Sequence, residues 1–316
     1  MKLSKAKVVF MGSPDFAVPS LEALLKVANV VAVVTQPDKP SGRGREISMP
    51  PVKKLAIEKG LKIFQPEKIR KEENYNFIKE INPDLIIVAA YGKILPESLL
   101  KIPKFGAINV HASLLPKYRG ASPISEAIIQ GEKETGVTIM LMDEGMDTGD
   151  ILSQEKIPIV LDDTTTKLSK KLSILGASLL IKTLDNYLAQ KISPVPQDDS
   201  LATYSKILSK EDGKINWKSS AFDLERKIRA FDPWPGAWTI FNDKRAVKIK
   251  ILKAVAQNGD SDIPGKVNQE NNKAISIGCG GNSKLKLEII QPENKPAMKP
   301  EAFALGHPKF ISSVLE

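Results

Sequence analysis

The sequence is poor in side chains that bind metals or cross-link chains, with one cysteine and two histidines in 316 residues. A single Cys279 cannot close an internal disulfide, and without HExxH or CxxC spacing no transition-metal site is expected. No apolar run approaches the roughly 20 residues that span a bilayer. No basic segment followed by an apolar stretch and a small-residue cleavage site opens the chain. The expectation is therefore a cytoplasmic protein that does not engage membranes, with a monomer as the default. A phosphate cradle is also missing. MGSPDFAVPSLEALL carries one glycine where a dinucleotide loop wants three, and GRGR at 42–45 has no strand before it. A nicotinamide-dependent dehydrogenase has little support.

What is present suits a globular chain of two domains. Lys and Arg outnumber Asp and Glu 46 to 37, a net charge of +9 that permits a polyanionic partner without requiring one. The excess is denser from Ser209 onward, with 18 basic against 13 acidic residues.

The first part alternates β-branched runs with amphipathic stretches. Strands are expected over 6–12, 27–36, 83–92, 106–113 and 136–143, and helices over 20–27, 51–60, 72–81, 122–131 and 164–189. Continuous apolar strands between helices predict an α/β fold, a mostly parallel Rossmann-like sheet covered on both faces. The loop after the first strand is expected to be a turn capped by Ser13 or Asp15. KISPVPQDDSLATYSK reads as a linker, giving a first domain over 1–190, a linker over 191–208 and a second domain over 209–316. In the last, a helix over 222–231 precedes short alternating strands separated by Gly, Asn and Asp, as in a small OB-like β-barrel. The last residues, GHPKFISSVLE, are left to dock or fray, with His307 at the surface.

Chemistry concentrates in INVHASLLPKYRGASPI at 108–124 and MDEGMDTGDIL at 142–152. A lone histidine beside a strand is usually structural, and an Asp in a Gly-rich turn usually tolerates the turn. Here, however, Asn109 and His111 are two apart on a strand and project to one face, where an apolar run gives way to a loop. Ligands of open α/β sheets collect at such strand ends. With Asp147 as the acid, the set is a neutral donor for a carbonyl oxygen, an imidazole titrating near pH 7 and a carboxylate to orient it. That constitution suits acyl transfer without a protein nucleophile.

These two motifs, with VVFMGSPDFAVPSLEAL and IRAFDPWPGAW, resemble the folate-dependent formyltransferase family along nearly the whole chain. The basic QPDKPSGRGR loop and the C-terminal domain resemble the branch that acts on methionyl-tRNA. The resemblance implies transfer of a formyl group from 10-formyltetrahydrofolate to the α-amine of methionine on initiator tRNA, for translation initiation, with Asn109, His111 and Asp147 catalytic. It implies that folate meets Ala90, Tyr91, Gly92, Ile94 and Leu95, then Ser113, Leu114, Leu115 and Pro116, then Met142, Asp143, Glu144 and Met146. For the tRNA it implies Lys39, Arg43 and Arg45 in the loop over 36–51, Lys206 and Lys210, and the C-terminal barrel. Many relatives of the tRNA enzyme carry Trp where this chain has Tyr118, which keeps an aromatic ring but removes any indole contact. Two alternatives stay open: a formyltransferase for a nucleotide-linked amino sugar, and an RNA-binding protein with a vestigial catalytic domain.

Overall fold

Strand runs with no polar interruption end up covered on both faces. The computed structural model describes residues 1–41, 46–259, 263–270 and 273–316. In chain order come β1 (Lys7–Gly12), α1 (Val18–Val27), β2 (Asn29–Val34), the short pair β3 (Lys39–Ser41) and β4 (Glu46–Ser48), α2 (Pro51–Glu58), β5 (Ile63–Phe64), α3 (Asn76–Ile81), β6 (Leu85–Ala89), α4 (Glu97–Leu100) and β7 (Ala107–His111). They are followed by β8 (Arg119–Gly120), α5 (Pro123–Ile129), β9 (Glu134–Leu141), β10 (Ile151–Pro158), α6 (Thr165–Leu188) and β11 (Tyr204–Ser205). Every residue of β6 is buried, as are five of the six of β1, as both-face coverage requires. Helix starts follow local chemistry: Pro51 opens α2, and Asn82 ends α3 in the left-handed region at φ 47°.

The sheet order is β10-β9-β7-β6-β1-β2-β5. Pairs from β5 to β7 are parallel, whereas β9 and β10 are added antiparallel. The chain runs outward from β1 through β2 to β5, then returns to lay β6 on the other side of β1. This makes β1/β6 the topological switch point, where open sheets leave a crevice at the strand carboxyl ends. Gly12 stands there because a Cβ would lie 2.8 Å from Ala89 O and from Ala17 Cβ. Neither Ser13 nor Asp15 caps α1 through its side chain. Ser13 Oγ instead accepts from the Gln36 amide at 3.0 Å, tying the β1 loop to the end of β2.

Beyond these lie α7 (Ala221–Ala230), β12 (Ala237–Asn242), β13 (Ala246–Asn258), β14 (Val267–Gln269), β15 (Ile275–Cys279), β16 (Ser283–Pro292) and α8 (Pro300–Gly306). Ser220 caps α7, its Oγ accepting from Asp223 N at 3.1 Å. The five strands form an antiparallel sheet in the order β12-β13-β16-β15-β14, with pairing irregularities near Lys253 of the kind that bend long strands. Both edges are tied by the chain's last residues. Ile240 N and Glu316 O lie 3.0 Å apart on the β12 side, and Val267 N donates to Ser313 O at 2.8 Å on the β14 side. The expectation of docking or fraying thus resolves as docking, and the curled sheet is closed by its own C-terminal segment. His307 is half-buried and stacks on Phe303 at 4.3 Å.

Packing divides the chain into Met1–Pro123, Glu134–Pro158 and Ser169–Lys206 as one unit and Ile124–Lys133, Ile159–Leu168 and Ile207–Glu316 as the other. Two short stretches of the first half join the second unit because α7 grips them. Arg226 Nε donates to Ile129 O at 3.0 Å, and an Arg229 nitrogen donates to Asp163 O at 3.0 Å. Most of the segment expected as a linker packs with the first unit: Val195 bridges Ile151, and β11 pairs in parallel with β8. Among the described residues no helix is long and apolar enough to cross a membrane.

Candidate active site

At the carboxyl end of β7, Asn109 and His111 reach one carboxylate, as their spacing requires. Asp147 Oδ1 lies 3.5 Å from Asn109 Nδ2 and 3.6 Å from His111 Nδ1, while its Oδ2 accepts from the Gly120 amide at 2.8 Å. The other ring nitrogen, Nε2, is 3.1 Å from Tyr118 O. A carbonyl oxygen can only accept, so Nε2 carries the hydrogen. In the neutral ring Nδ1 is then the lone-pair atom, and it is the one that faces Asp147. The imidazole is buried, whereas Asp147 and Asn109 are half-exposed; a proton gained at Nδ1 would be held by the carboxylate.

Two non-glycine residues here adopt the left-handed conformation, Tyr118 at φ 61° and Asp147 at φ 56°. Such residues persist where surroundings over-determine them. Tyr118 N donates to Thr203 Oγ1 at 2.9 Å, and Arg119 N donates to Thr203 O at 2.8 Å. Gly120 follows at φ 109°, where a Cβ would sit 2.5 Å from Ser205 O, so any side chain would push β8 off β11. The carbonyl that fixes His111 and the amide that fixes Asp147 therefore both come from this one short stretch.

A pocket of about 110 Å³ opens beside Asp147, lined by Lys93, Ile94, Leu95, Met140, Met142, Asp143, Gly145, Met146 and Asp147. It gathers Ile94, Leu95, Met142, Asp143 and Met146 from the expected folate set. Ala90, Tyr91, Gly92, Glu144 and the stretch 113–116 are not among its lining residues. Ala90 and Gly92 are exposed, with positive φ, on the loop that leads into it. Ser113 and Leu115 are consumed by packing: Ser113 Oγ donates to Lys117 O at 2.6 Å, and Leu115 N donates to Thr138 Oγ1 at 3.0 Å. Tyr91 is buried with no partner for its hydroxyl among the described residues, and burial pushes that hydroxyl up to about 12. Lys93 and Gly145 lie within the two stretches the resemblance matches to the folate, 90–95 and 142–146, whereas Met140 was not anticipated.

Among the residues expected to meet tRNA, Lys39, Lys206 and Lys210 are exposed, while Arg43 and Arg45 lie outside the described residues. Among the described residues no group of three or more His, Cys, Asp or Glu is arranged to hold a metal ion. The larger omission is Gln197, whose amide donates to the carbonyls of Asp147 at 2.9 Å and Gly149 at 2.7 Å and accepts from Arg119. In the sequence it sits in a polar, Pro-containing stretch with no periodicity, and nothing there marks it.

Comparison with known proteins adds an independent line. Residues 6–184 match the formyl transferase family and residues 207–308 its C-terminal domain. The methionyl-tRNA formyltransferase of Caldanaerobacter subterraneus subsp. tengcongensis is 48% identical over 304 residues, 95% of this chain and 97% of that one. That of Clostridium novyi is 45% identical over 312 residues, 98% and 100% of the two chains. Among solved structures, the sugar 3N-formyl transferase WlaRD, crystallised in the presence of dTDP and 5-N-formyl-THF, shares the fold with a TM-score of 0.66 at 24% identity, over 92% of this chain and 99% of that one.

Proposed function

The chain belongs to the formyl transferase family, and from that premise we propose that it moves a formyl group from 10-formyltetrahydrofolate to the α-amine of methionine on initiator methionyl-tRNA. The observation that carries this reading is the convergence of Asn109 and His111 on Asp147 beside the pocket at 93–95 and 140–147. Likeness to the tRNA enzymes along both units supports the acceptor.

The pocket suits a flat pterin: Ile94, Leu95, Met140, Met142 and Met146 supply apolar walls, and Asp143 and neighbouring backbone supply polar edges. Bound there, 10-formyltetrahydrofolate supplies an activated formyl group. Addition of an amine to a formyl carbon concentrates negative charge on oxygen and leaves a proton to remove. Asn109 Nδ2 carries two hydrogens, of which Asp147 engages one at the long distance of 3.5 Å. It is the donor for that oxygen. His111 Nδ1 takes the proton lost by the amine, and Asp147 at 3.6 Å stabilises the imidazolium and keeps the ring oriented. The same atom can return the proton to the departing nitrogen. Tyr118 O, holding Nε2–H, keeps this tautomer through the cycle.

For the tRNA, Lys39, Arg43 and Arg45 would meet the acceptor end, and Lys206, Lys210 and the closed sheet the acceptor stem. The test measures transfer from 10-formyltetrahydrofolate to methionine-charged initiator tRNA, uncharged tRNA and an amino-sugar nucleotide. Transfer to the charged tRNA alone is expected. Transfer to the sugar would keep the catalytic set and overturn the acceptor, and tRNA binding without transfer to anything would overturn the enzyme reading.

A further inference from the structure

Asp147 stands in a left-handed conformation on the loop between β9 and β10, where Asp143 Oδ1 accepts from Gly145 N at 3.1 Å and from Thr148 Oγ1 at 2.7 Å without reaching the Asp147 backbone. A hold on that backbone comes from 50 residues later in sequence. Gln197 Nε2 donates to Asp147 O at 2.9 Å and to Gly149 O at 2.7 Å, pinning the backbone on both sides of Thr148. Its Oε1 is held in turn by Arg119, from Nε at 3.1 Å and a terminal nitrogen at 2.8 Å. This fixes which end of the amide is oxygen, since guanidinium only donates and the loop carbonyls only accept. Arg119 is 1% exposed, yet its carboxylate partner Asp199, at 2.7 Å, is mostly solvent-exposed. Besides Asp199, this buried guanidinium has side-chain hydrogen bonds to Gln197 Oε1 and to Tyr204, as a buried charge requires.

Arg119 also has the chain position that matters most. Its neighbours are Tyr118, whose carbonyl holds His111 Nε2, and Gly120, whose amide holds Asp147 Oδ2. We propose that Arg119 and Gln197 form a positioning clamp for the formyl-transfer reaction: the contact between them sets the separation of His111 Nδ1 and Asp147 Oδ1 by fixing the backbone that carries Asp147 and the stretch whose Tyr118 carbonyl holds the His111 ring. Neither residue touches the reacting atoms. Their role is to hold the imidazole and carboxylate in register when charge develops, where a displacement of about 1 Å costs on the order of a hundredfold in rate. The inference rests on the catalytic reading above.

Gln197→Glu separates the two ends of the clamp. The carboxylate still accepts from Arg119, so the guanidinium keeps its partner, but an acceptor now faces the carbonyls of Asp147 and Gly149. Asp199→Asn is the companion variant, weakening only the surface contact. The clamp predicts that Gln197→Glu lowers kcat about ten- to a hundredfold with KM for folate and for charged tRNA within threefold, and that Asp199→Asn stays within twofold in kcat. A second readout needs no activity: amide hydrogen exchange at Gly120, bonded to Asp147 Oδ2, accelerates at least tenfold in Gln197→Glu and is unchanged in Asp199→Asn. If the parent chain transfers no formyl group, the function reading fails while exchange still decides whether the clamp exists. Unchanged kcat and exchange in Gln197→Glu overturn the clamp, as does an equal loss in both variants or a loss carried by KM.

Discussion

The two units place their dependence on side chains differently. In the first, the proposed chemistry rests on two side chains within 3.6 Å of one carboxylate, and the strands beneath serve to hold them at the sheet's carboxyl edge. In the second, one core is shared among Trp217, Leu224, Phe241, Ile251, Ile277, Leu285, Phe310 and Leu315, drawn from strands, helices and the chain's last residues. A site built on a few atoms fails sharply when one is lost, whereas a surface built on charge and a curled sheet degrades by degrees. The comparison is broken most directly by Asn109→Ala. Losing a donor aimed at developing charge costs about 10²–10³ in rate, while the 3.5 Å contact it gives up in the resting protein is worth about 1 kcal/mol of stability or less. Single-turnover formyl transfer beside thermal unfolding separates the two quantities. Near-normal turnover would return Asn109 to a structural role, and the clamp variant Gln197→Glu should fall one step below Asn109→Ala in severity.

Leu315→Ala asks the opposite question of the second unit. Leu315 is 4% exposed and its amide donates to Gly265 O at 2.9 Å, in the segment that ties β12 to β14. Truncating a buried Leu typically costs about 2–5 kcal/mol, and a loss of about 2–3 kcal/mol in a unit of this size lowers its midpoint by roughly 10 °C. All three tryptophans, Trp217, Trp234 and Trp238, lie in this unit, so indole fluorescence follows its unfolding. The midpoint should drop while kcat measured well below it stays within about threefold. An unmoved midpoint would mean that the C-terminal segment decorates the sheet rather than closing it.

How much of this was legible in the sequence follows the same division. Alternation of apolar runs and amphipathic stretches gives the parallel sheet, and a spacing of two gives the shared face of Asn109 and His111, because both periods are properties of local backbone. β10 was hidden because its burial is broken by three consecutive exposed residues, Gln154, Glu155 and Lys156, although Gln154 donates to Leu115 O and Thr138 Oγ1. The boundary between units was hidden because Arg226 and Arg229 recruit carbonyls of Ile129 and Asp163, contacts between residues far apart in sequence. Gln197 was invisible for the same reason. A glutamine beside two prolines reads as linker, and only the left-handed backbone at Asp147 and the buried Arg119 opposite give it a task.

The smallest expected effects belong to the basic residues, and they sharpen the comparison rather than break it. Lys206 and Lys210 are exposed on the chain between α6 and α7, and a phosphate contact made there supplies affinity without touching the reacting atoms. Each Lys→Ala change should raise KM for charged tRNA about threefold and leave KM for folate and single-turnover kcat unchanged. Because each neutralised phosphate releases counterions, each variant should also flatten the fall of log(kcat/KM) with log salt by about 1. Arg43→Ala should behave alike. A change in KM with an unaltered salt slope would mean that the lysine supports local structure instead of meeting phosphate. A fall in kcat instead would make the acceptor grip part of the catalytic geometry, and the separation between a point-like site and a graded surface would no longer describe this protein.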